Sequence, residues 1–99
     1  MSKHFPSEER YSLTDQIRRS SRSVCANVAE AFFKRNYPAA FVSKLSDSLS
    51  EAAETQVWLD FAQECKYFQA SDAQALQTRY GYVIGKLLVM MHHPEQWKT

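Results

Sequence analysis

Residues that break helices are almost absent from this chain of 99 residues, which holds two glycines and three prolines. Both glycines, Gly81 and Gly85, fall inside an apolar-periodic stretch rather than in a turn. Few breakers leave room for few turns, which favours long helices over many short strands. The pattern predicts an all-α fold, in which short connections make consecutive helices antiparallel in an up-down helical bundle.

The starts and ends of three helices are indicated by residues that suit helix termini. Ser12 with Asp15, and Ser71 with Gln74, match capping boxes. Asn36 suits a cap, with Pro38 in the following first turn. His93 before Pro94 is disfavoured in a helix and marks the last end. We therefore predict one domain over residues 1–99, with helices at about 13–35, 38–66 and 72–92.

Each predicted helix carries an apolar face at helical spacing, and burial of these faces would stabilise the bundle. On the first helix, Ser20 and Ser21 fill the same face and would let a neighbouring helix come close. The expected core residues are Leu13, Ile17, Val24, Val28, Ala31 and Phe32, then Phe41, Leu45, Leu49, Ala52, Gln56 and Leu59, and finally Leu76, Tyr80, Val83, Leu87 and Met90.

Composition predicts a cytoplasmic globular protein. The chain is 44% hydrophobic and 23% charged, with a net charge of +1, so disorder is not expected. No apolar signal segment follows Met1, and no run approaches the roughly 20 apolar residues of a membrane span. Cys25 and Cys65 lie in helix-patterned segments and are expected to be buried, reduced thiols.

Signatures of catalysis and of cofactor binding are absent from the sequence. There is no phosphate-binding glycine loop and no Glu-x-x-His pair of the kind that holds di-iron centres. Glu51 and Glu54 are better interpreted as solvated helix carboxylates than as metal ligands. His92 and His93 are adjacent, diverge on a helix and fit a frayed terminus. We predict no enzyme activity, no catalytic residue, no cofactor, no metal and no small-molecule substrate.

Positive charge is concentrated on the first predicted helix and the turn after it. Residues 1–50 carry a net charge of +3 and residues 51–99 carry −2. Such a cluster predicts an anionic partner, for which RNA or a ribonucleoprotein is the candidate. The competing interpretation is that these cations pair with Glu51, Glu54 or Asp60 on the neighbouring helix or on a neighbouring subunit. The candidate nucleic-acid-binding residues are Arg18, Arg19, Arg22, Lys34 and Arg35.

A polar stripe runs along the first predicted helix within an arc of about 80°. It is either the solvated face of the helix or a close-packed seam, in which case replacing Asn27 or Glu30 would cost about 1–3 kcal/mol. Gly81 and Gly85 share one face of the third helix, which indicates a close neighbour within the chain or in another subunit. The candidate oligomer or seam residues are Gln16, Arg19, Ser23, Asn27 and Glu30, together with Lys34 along the stripe and Glu54 and Trp58 on the second helix.

Several runs of residues along the chain match the signature of a known family. They are Phe5-Pro6, Glu8-Glu9-Arg10-Tyr11, Leu13-Thr14, Gln16-Ile17-Arg18-Arg19-Ser20, Ser23-Val24, Ala26-Asn27-Val28-Ala29-Glu30-Ala31, Phe41, Leu45, Glu51-Ala52-Ala53-Glu54-Thr55-Gln56-Val57-Trp58-Leu59-Asp60, Ala62 and Tyr67. In these residues the chain resembles the four-helix-bundle family of 23S ribosomal RNA intervening-sequence proteins. The resemblance covers nearly the whole chain, and the segment 5–30 is its most specific part.

The resemblance implies a bacterial bundle that assembles into a ring-like homopentamer. Some members of that family are encoded within inserts in ribosomal RNA genes. Relatives are accessory variability proteins of diversity-generating retroelements, where a basic surface is associated with nucleic acid and a reverse transcriptase. The resemblance implies no enzymatic activity and no assigned role for most stand-alone members.

Two departures from the family pattern affect what the resemblance implies. The family carries a helix ahead of Phe5-Pro6, whereas this sequence starts almost at that motif, so that it resembles a four-helix bundle lacking its first helix. Either the start is truncated or this member has lost the helix, and a missing helix would leave an apolar groove open to a partner or a neighbouring subunit. Ala31 stands where the family has a turn glycine, so the first helix is expected to continue beyond it. The two function hypotheses are a homo-oligomer that binds structured RNA, and a protein-interaction module without a nucleic-acid role.

Overall fold

A computed structural model describes residues 7–65 and 70–99 of the chain, and the side chains of 12–65 and 71–99. Three α-helices follow one another, with no strand in the described residues. They are α1 (Ser7–Phe33), α2 (Pro38–Glu64) and α3 (Ala70–His92), and a short 3-10 helix (Pro94–Trp97) follows α3. The prediction of an all-α helical bundle is confirmed.

Helix α1 begins earlier than predicted. Ser12 lies inside α1, so the capping box assigned to Ser12 and Asp15 was wrong. The helix begins at Ser7. At its other end α1 continues past Ala31 to Phe33, as expected. It stops two residues before the predicted end because residues 34–36 form a turn.

The other helix boundaries lie within two residues of the predicted ones. Pro38 occupies the first turn of α2 as expected, but the cap residue is Tyr37, without a side-chain hydrogen bond, rather than Asn36. Helix α2 ends at Glu64, and the predicted end at 66 lies outside the described residues. Because α3 begins at Ala70, Ser71 is a helical residue and not its cap. The end of α3 at His92 agrees with the prediction.

Helix α2 is the centre of the fold, and α1 packs closely along one side of it. Thr55 donates a hydrogen bond to Ser20 Oγ at 2.7 Å, and Ser48 donates to the Val24 carbonyl at 2.9 Å. Residue numbers rise on α1 as they fall on α2, so the two helices are antiparallel. Ser20, Ser48 and Ala52 are all buried, and their small side chains allow the close approach.

Helix α3 packs along the other side of α2. Gln77 donates to the Gln56 carbonyl at 2.9 Å and to Asp60 Oδ1 at 2.8 Å. In the described chain no Cα atom of α1 comes within 8 Å of one in α3. A hydrogen bond between Ser21 and Tyr80 links the two outer helices through their side chains. The three helices therefore form a layer with α2 in the middle.

The molecule is elongated, with principal extents of 54 × 23 × 16 Å. Its radius of gyration is 16.0 Å, against about 13 Å for a compact domain of 100 residues. The long, thin shape leaves large apolar side chains exposed. Phe33, Tyr37 and Tyr82 are more than two-thirds exposed. None of the described helices is long and apolar enough to cross a membrane.

The apolar core lies near the end of the layer where α1 turns into α2. The buried members of the cluster there are Ala31, Phe41, Leu45 and Leu87, and further buried apolar residues, Leu59, Ala62 and Ala73, lie toward the other end. Trp97 packs on Phe41 with ring centroids 6.5 Å apart. Thr99 donates to Asn36 Oδ1 from its backbone nitrogen at 2.8 Å, so Asn36 holds the last residue and does not cap α2.

Several predicted core residues are less buried than expected. Phe32 is 51% exposed and lies outside the core. Leu49 and Gln56 are only partly buried, whereas Ser48 and Thr55 are fully buried beside Ala52. Both cysteines are free thiols, but Cys25 is exposed and Cys65 is half-buried, so the expectation of buried thiols was wrong.

Replacing Ala52 with leucine should lower the free energy of unfolding by about 1–3 kcal/mol, because added volume in a close-packed interface forces strain. Ala52 has no exposed surface, whereas the adjacent Ala53 is exposed. The matched variant Ala53→Leu should change stability by less than about 0.5 kcal/mol. Urea denaturation followed by circular dichroism measures both values. Equal destabilisation by the two variants would contradict the close approach of α1 and α2.

Candidate nucleic-acid interface

Three arginines lie together on the outer face of α1. Arg18, Arg19 and Arg22, with Asp15, line a surface concavity of about 280 Å³. All four side chains are exposed. Their clustering follows from helical geometry, since residues three or four positions apart lie on the same side of a helix. We call Arg18, Arg19 and Arg22 the arginine patch.

The arginine patch has no ionic partner in the described chain. No described carboxylate lies within 4 Å of its guanidinium nitrogens. Asp60 accepts instead from Gln77, and Glu54 accepts from the indole nitrogen of Trp58 at 3.1 Å. The alternative interpretation, in which these arginines pair with acids of the neighbouring helix, is therefore wrong for the described residues of one chain.

Lys34 and Arg35 do not extend the arginine patch. They lie in the turn after α1, and Arg35 is about 20 Å from Arg22 along the helix direction at 1.5 Å per residue. The Arg35 guanidinium stacks 4.1 Å from the centre of the Phe32 ring and donates to the Phe32 carbonyl at 2.9 Å. The five predicted basic residues thus form two separate groups.

The polar stripe of α1 is accessible to solvent along its length. Asn27 donates to the Ser23 carbonyl at 2.9 Å, within its own helix. Glu30 pairs with Lys44 of α2 at 3.1 Å, and their side chains are 54% and 30% exposed. Gln16 and Ser23 are half-buried, while Arg19 and Lys34 are exposed. In one chain the stripe therefore borders α2 without being a buried seam.

The glycine pair has no neighbour among the described residues of the chain. A Cβ atom built at Gly81 or at Gly85 meets nothing within 4 Å. The interpretation of a close helix within the same chain is therefore wrong for the described residues. The glycines instead form the floor of an open groove that is described below.

Metal binding by a cluster of side chains is not indicated in the described part of the chain. Across residues 7–65 and 70–99 there is no group of three or more His, Cys, Asp and Glu residues that could hold an ion. His92 Nδ1 lies 2.8 Å from the Leu88 carbonyl, and His93 lies 3.9 Å from Glu95. The two histidines thus have different neighbours, as expected for adjacent helical positions.

The family model of the 23S rRNA-intervening sequence proteins matches residues 1–88. The chain belongs to this family. Comparisons with curated proteins and with solved structures found no match. As a member of the 23S rRNA-intervening sequence proteins, the chain has both the arginine patch and the polar stripe inside the matched region. Trp97 and the 3-10 helix lie beyond it.

Some exposed residues that could take part in binding were missed by the sequence analysis. Val57 and Phe61 lie on the outer face of α2 and are 52% and 54% exposed. Val57 and Phe61 are four residues apart, and each is two residues from the buried Leu59. This spacing places both on the face of α2 away from Leu59, and it could have identified them from the sequence. Val89 and Trp97, which flank the glycines, were also missed. No spacing rule connects Trp97 to α3, because the intervening chain folds back.

Replacing Glu30 with alanine should lower the free energy of unfolding of the chain by less than about 1 kcal/mol, since half-exposed ion pairs contribute little. The difference from the parent should shrink in 1 M salt, where the Debye length is about 3 Å. Thermal denaturation at two salt concentrations measures it. A loss of several kcal/mol together with a lower assembly mass would contradict a solvated stripe and place Glu30 between subunits.

Proposed function

We propose that this protein is a non-enzymatic homo-oligomer that binds structured RNA, alone or in a ribonucleoprotein, through the arginine patch. The observation that supports it is the convergence of three unpaired guanidinium groups around one concavity. A guanidinium offers several N–H donors in a planar fork that fits the oxygens of a phosphate. Because no described carboxylate of the chain pairs with these three arginines, their guanidinium groups are available for contacts with phosphate.

The proposed contacts are to the RNA backbone. Phosphate contacts orient a protein on nucleic acid without reading its sequence, so the arginine patch alone would select shape and charge rather than bases. Asp15, at the edge of the concavity, limits how closely a phosphate can approach on that side. One chain has a net charge of only +1, so a single patch is a weak binder, and several linked copies would raise the avidity.

The second candidate function is a protein-interaction module without a nucleic-acid role. The observation that favours it is the number of large apolar side chains on the outer faces of α2 and α3, among them Val57, Phe61, Tyr82 and Val89. Contiguous exposed apolar surface on a small protein marks interaction sites. The two candidates differ in whether the arginine patch contacts phosphate.

The proposed assembly predicts a solution mass several times the 11.5 kDa of one chain. The elongated layer exposes apolar faces that association would remove from water. Light scattering coupled to size-exclusion chromatography at micromolar concentration measures this mass directly. A single species near 11.5 kDa across the concentration range would contradict the homo-oligomer.

Binding to RNA should weaken steeply as salt is raised. Three phosphate contacts give a slope of about −2.7 in log affinity against log salt, so affinity should fall roughly fortyfold from 50 to 200 mM. Arg18→Glu with Arg22→Glu should weaken binding to ribosomal and unrelated RNA fragments to a similar extent. This double variant should also reduce the slope by about 2. Filter-binding titrations at the two salt concentrations measure both effects.

The matched control is the double variant Arg79→Glu with Lys98→Glu, which makes the same change in net charge at exposed positions outside the arginine patch. It should bind more tightly than the patch variant. Equal weakening by the two double variants would show that only net charge matters. No retention of RNA by the parent at 50 mM salt, with the oligomer intact, would favour the protein-interaction module.

A further inference from the structure

The outer side of α3 carries an open apolar groove. Gly81 and Gly85 form its floor, and open space lies above both. The groove has a volume of about 520 Å³. Its remaining lining residues are Tyr82, Lys86, Val89, Met90 and Trp97. We call this feature the α3 groove.

The walls of the α3 groove are exposed, and one of them is held in place. Tyr82 is 70% exposed and Val89 is 61% exposed. Trp97 packs on Phe41 and is followed two residues later by Thr99, which is anchored to Asn36. The groove is therefore preformed on the Trp97 side.

Two features of the α3 groove are unexplained within one chain. Each glycine in a helix interior is less favourable than alanine, yet nothing in the described residues packs against either one. The only charged lining residue is Lys86, and no described carboxylate lies within 4 Å of it. An occupant that suits this groove has a protruding apolar surface with a carboxylate beside it.

The outer face of α2 carries such a surface. Val57, Trp58 and Phe61, which we call the α2 ridge, follow helical spacing: Val57 and Phe61 are exposed on the side opposite the buried Leu59, and the half-buried Trp58 borders them. The Trp58 and Phe61 rings lie 6.3 Å apart, and the bond from Trp58 to Glu54 restrains the indole.

Carboxylates flank the α2 ridge at both ends. Glu54 precedes it by one turn, and Glu64 follows Phe61 by three residues. Both are exposed, and neither forms an ion pair with a described residue. The ridge is therefore negative where the α3 groove is positive, and it projects large side chains where the floor of the groove is glycine.

We propose that the α2 ridge of one copy docks in the α3 groove of a second copy. This inference rests on the homo-oligomer of the proposed function and names the surfaces that form it. Both complementary surfaces occur on the same chain, so a second copy supplies the shape and the charge together. The contact joins two different faces and is therefore heterologous, which leaves a free groove on one copy and a free ridge on the other. Successive copies then form a ring or an open chain.

Charge reversal at the edge of this contact tests the proposal. Lys86→Glu and Glu64→Lys should each weaken self-association at least tenfold, because like charges would then face each other. An equimolar mixture of the two variants should recover self-association with alternating copies, since each supplies the counter-charge that the other lacks. The double variant should recover the parent's mass, because every contact then has the reversed charge pair. Sedimentation velocity over a concentration series measures the masses.

The matched controls make the same charge changes on the same helices, away from the contact. Arg79→Glu lies on α3 and outside the lining of the groove, and Asp47→Lys lies on α2, about 15 Å from Val57 at 1.5 Å per residue. Both should keep the parent's mass. Equal loss of mass in the controls and in the edge variants, or no recovery on mixing, would overturn the proposal.

Filling the groove with a larger side chain distinguishes an effect on self-association from an effect on the folding of one chain. Gly85→Leu places a side chain where the chain itself has open space, so the urea midpoint of the dissociated chain should stay level or rise. Self-association should fall at least tenfold because the ridge can no longer enter. If the parent is oligomeric and both Gly85→Leu and Lys86→Glu keep its mass, this contact is overturned. The groove would then bind some other partner. A monomeric parent would overturn the proposed oligomer as well.

Discussion

The close approach of α1 and α2 is the constraint on which the rest of the structure depends. It is possible because the residues between the two helices are small, and their polar atoms are paired. Ser20 accepts from Thr55, and Ser48 donates to the backbone of Val24. A buried hydroxyl without a partner would cost about 1–3 kcal/mol, so these bonds set the register as well as the distance. With α1 fixed on one side of α2, α3 packs on its other side.

A layer built around one central helix leaves more charged and apolar side chains on outer faces than a closed bundle does. The outer face of α1 carries three arginines and Asp15, and no described carboxylate forms an ion pair with these arginines. The outer faces of α2 and α3 keep apolar side chains that a compact domain would bury. The arginine patch and the apolar surfaces lie on different helices, so the proposed RNA binding and the proposed self-association would not compete for the same residues.

The general fold follows from the sequence because apolar spacing and scarce breakers act over many residues. The number of helices and the end of α3 at His92 were predicted on that basis. Single capping signals were less informative. Ser12 and Ser71 each match a capping box but lie inside helices, since a serine can be accommodated in a helix when the surrounding residues favour its continuation. Phe32 fits the apolar period of α1, yet the helix ends one residue later, before a neighbouring helix covers it.

The candidate site could be predicted only in part. The clustering of the arginines can be predicted from the sequence, because it depends only on spacing within one helix. Their lack of a described carboxylate partner cannot, because it depends on how α1 and α2 are rotated relative to each other. The α3 groove depends on the 3-10 helix that returns Trp97 to the side of α3, and no periodic pattern encodes that return. Pairing across distant parts of the chain is the information that a single sequence lacks.

The uneven position of the apolar core has a consequence for local opening. Phe41, Leu45 and Leu87 lie toward the end that the Thr99–Asn36 bond also holds, whereas hydroxyl groups take a larger part in the packing around Thr55. Opening free energies vary along a structure with its buried apolar contacts. Amide hydrogen exchange should therefore be slower beside Phe41 than in the parts of α1 and α2 around Thr55.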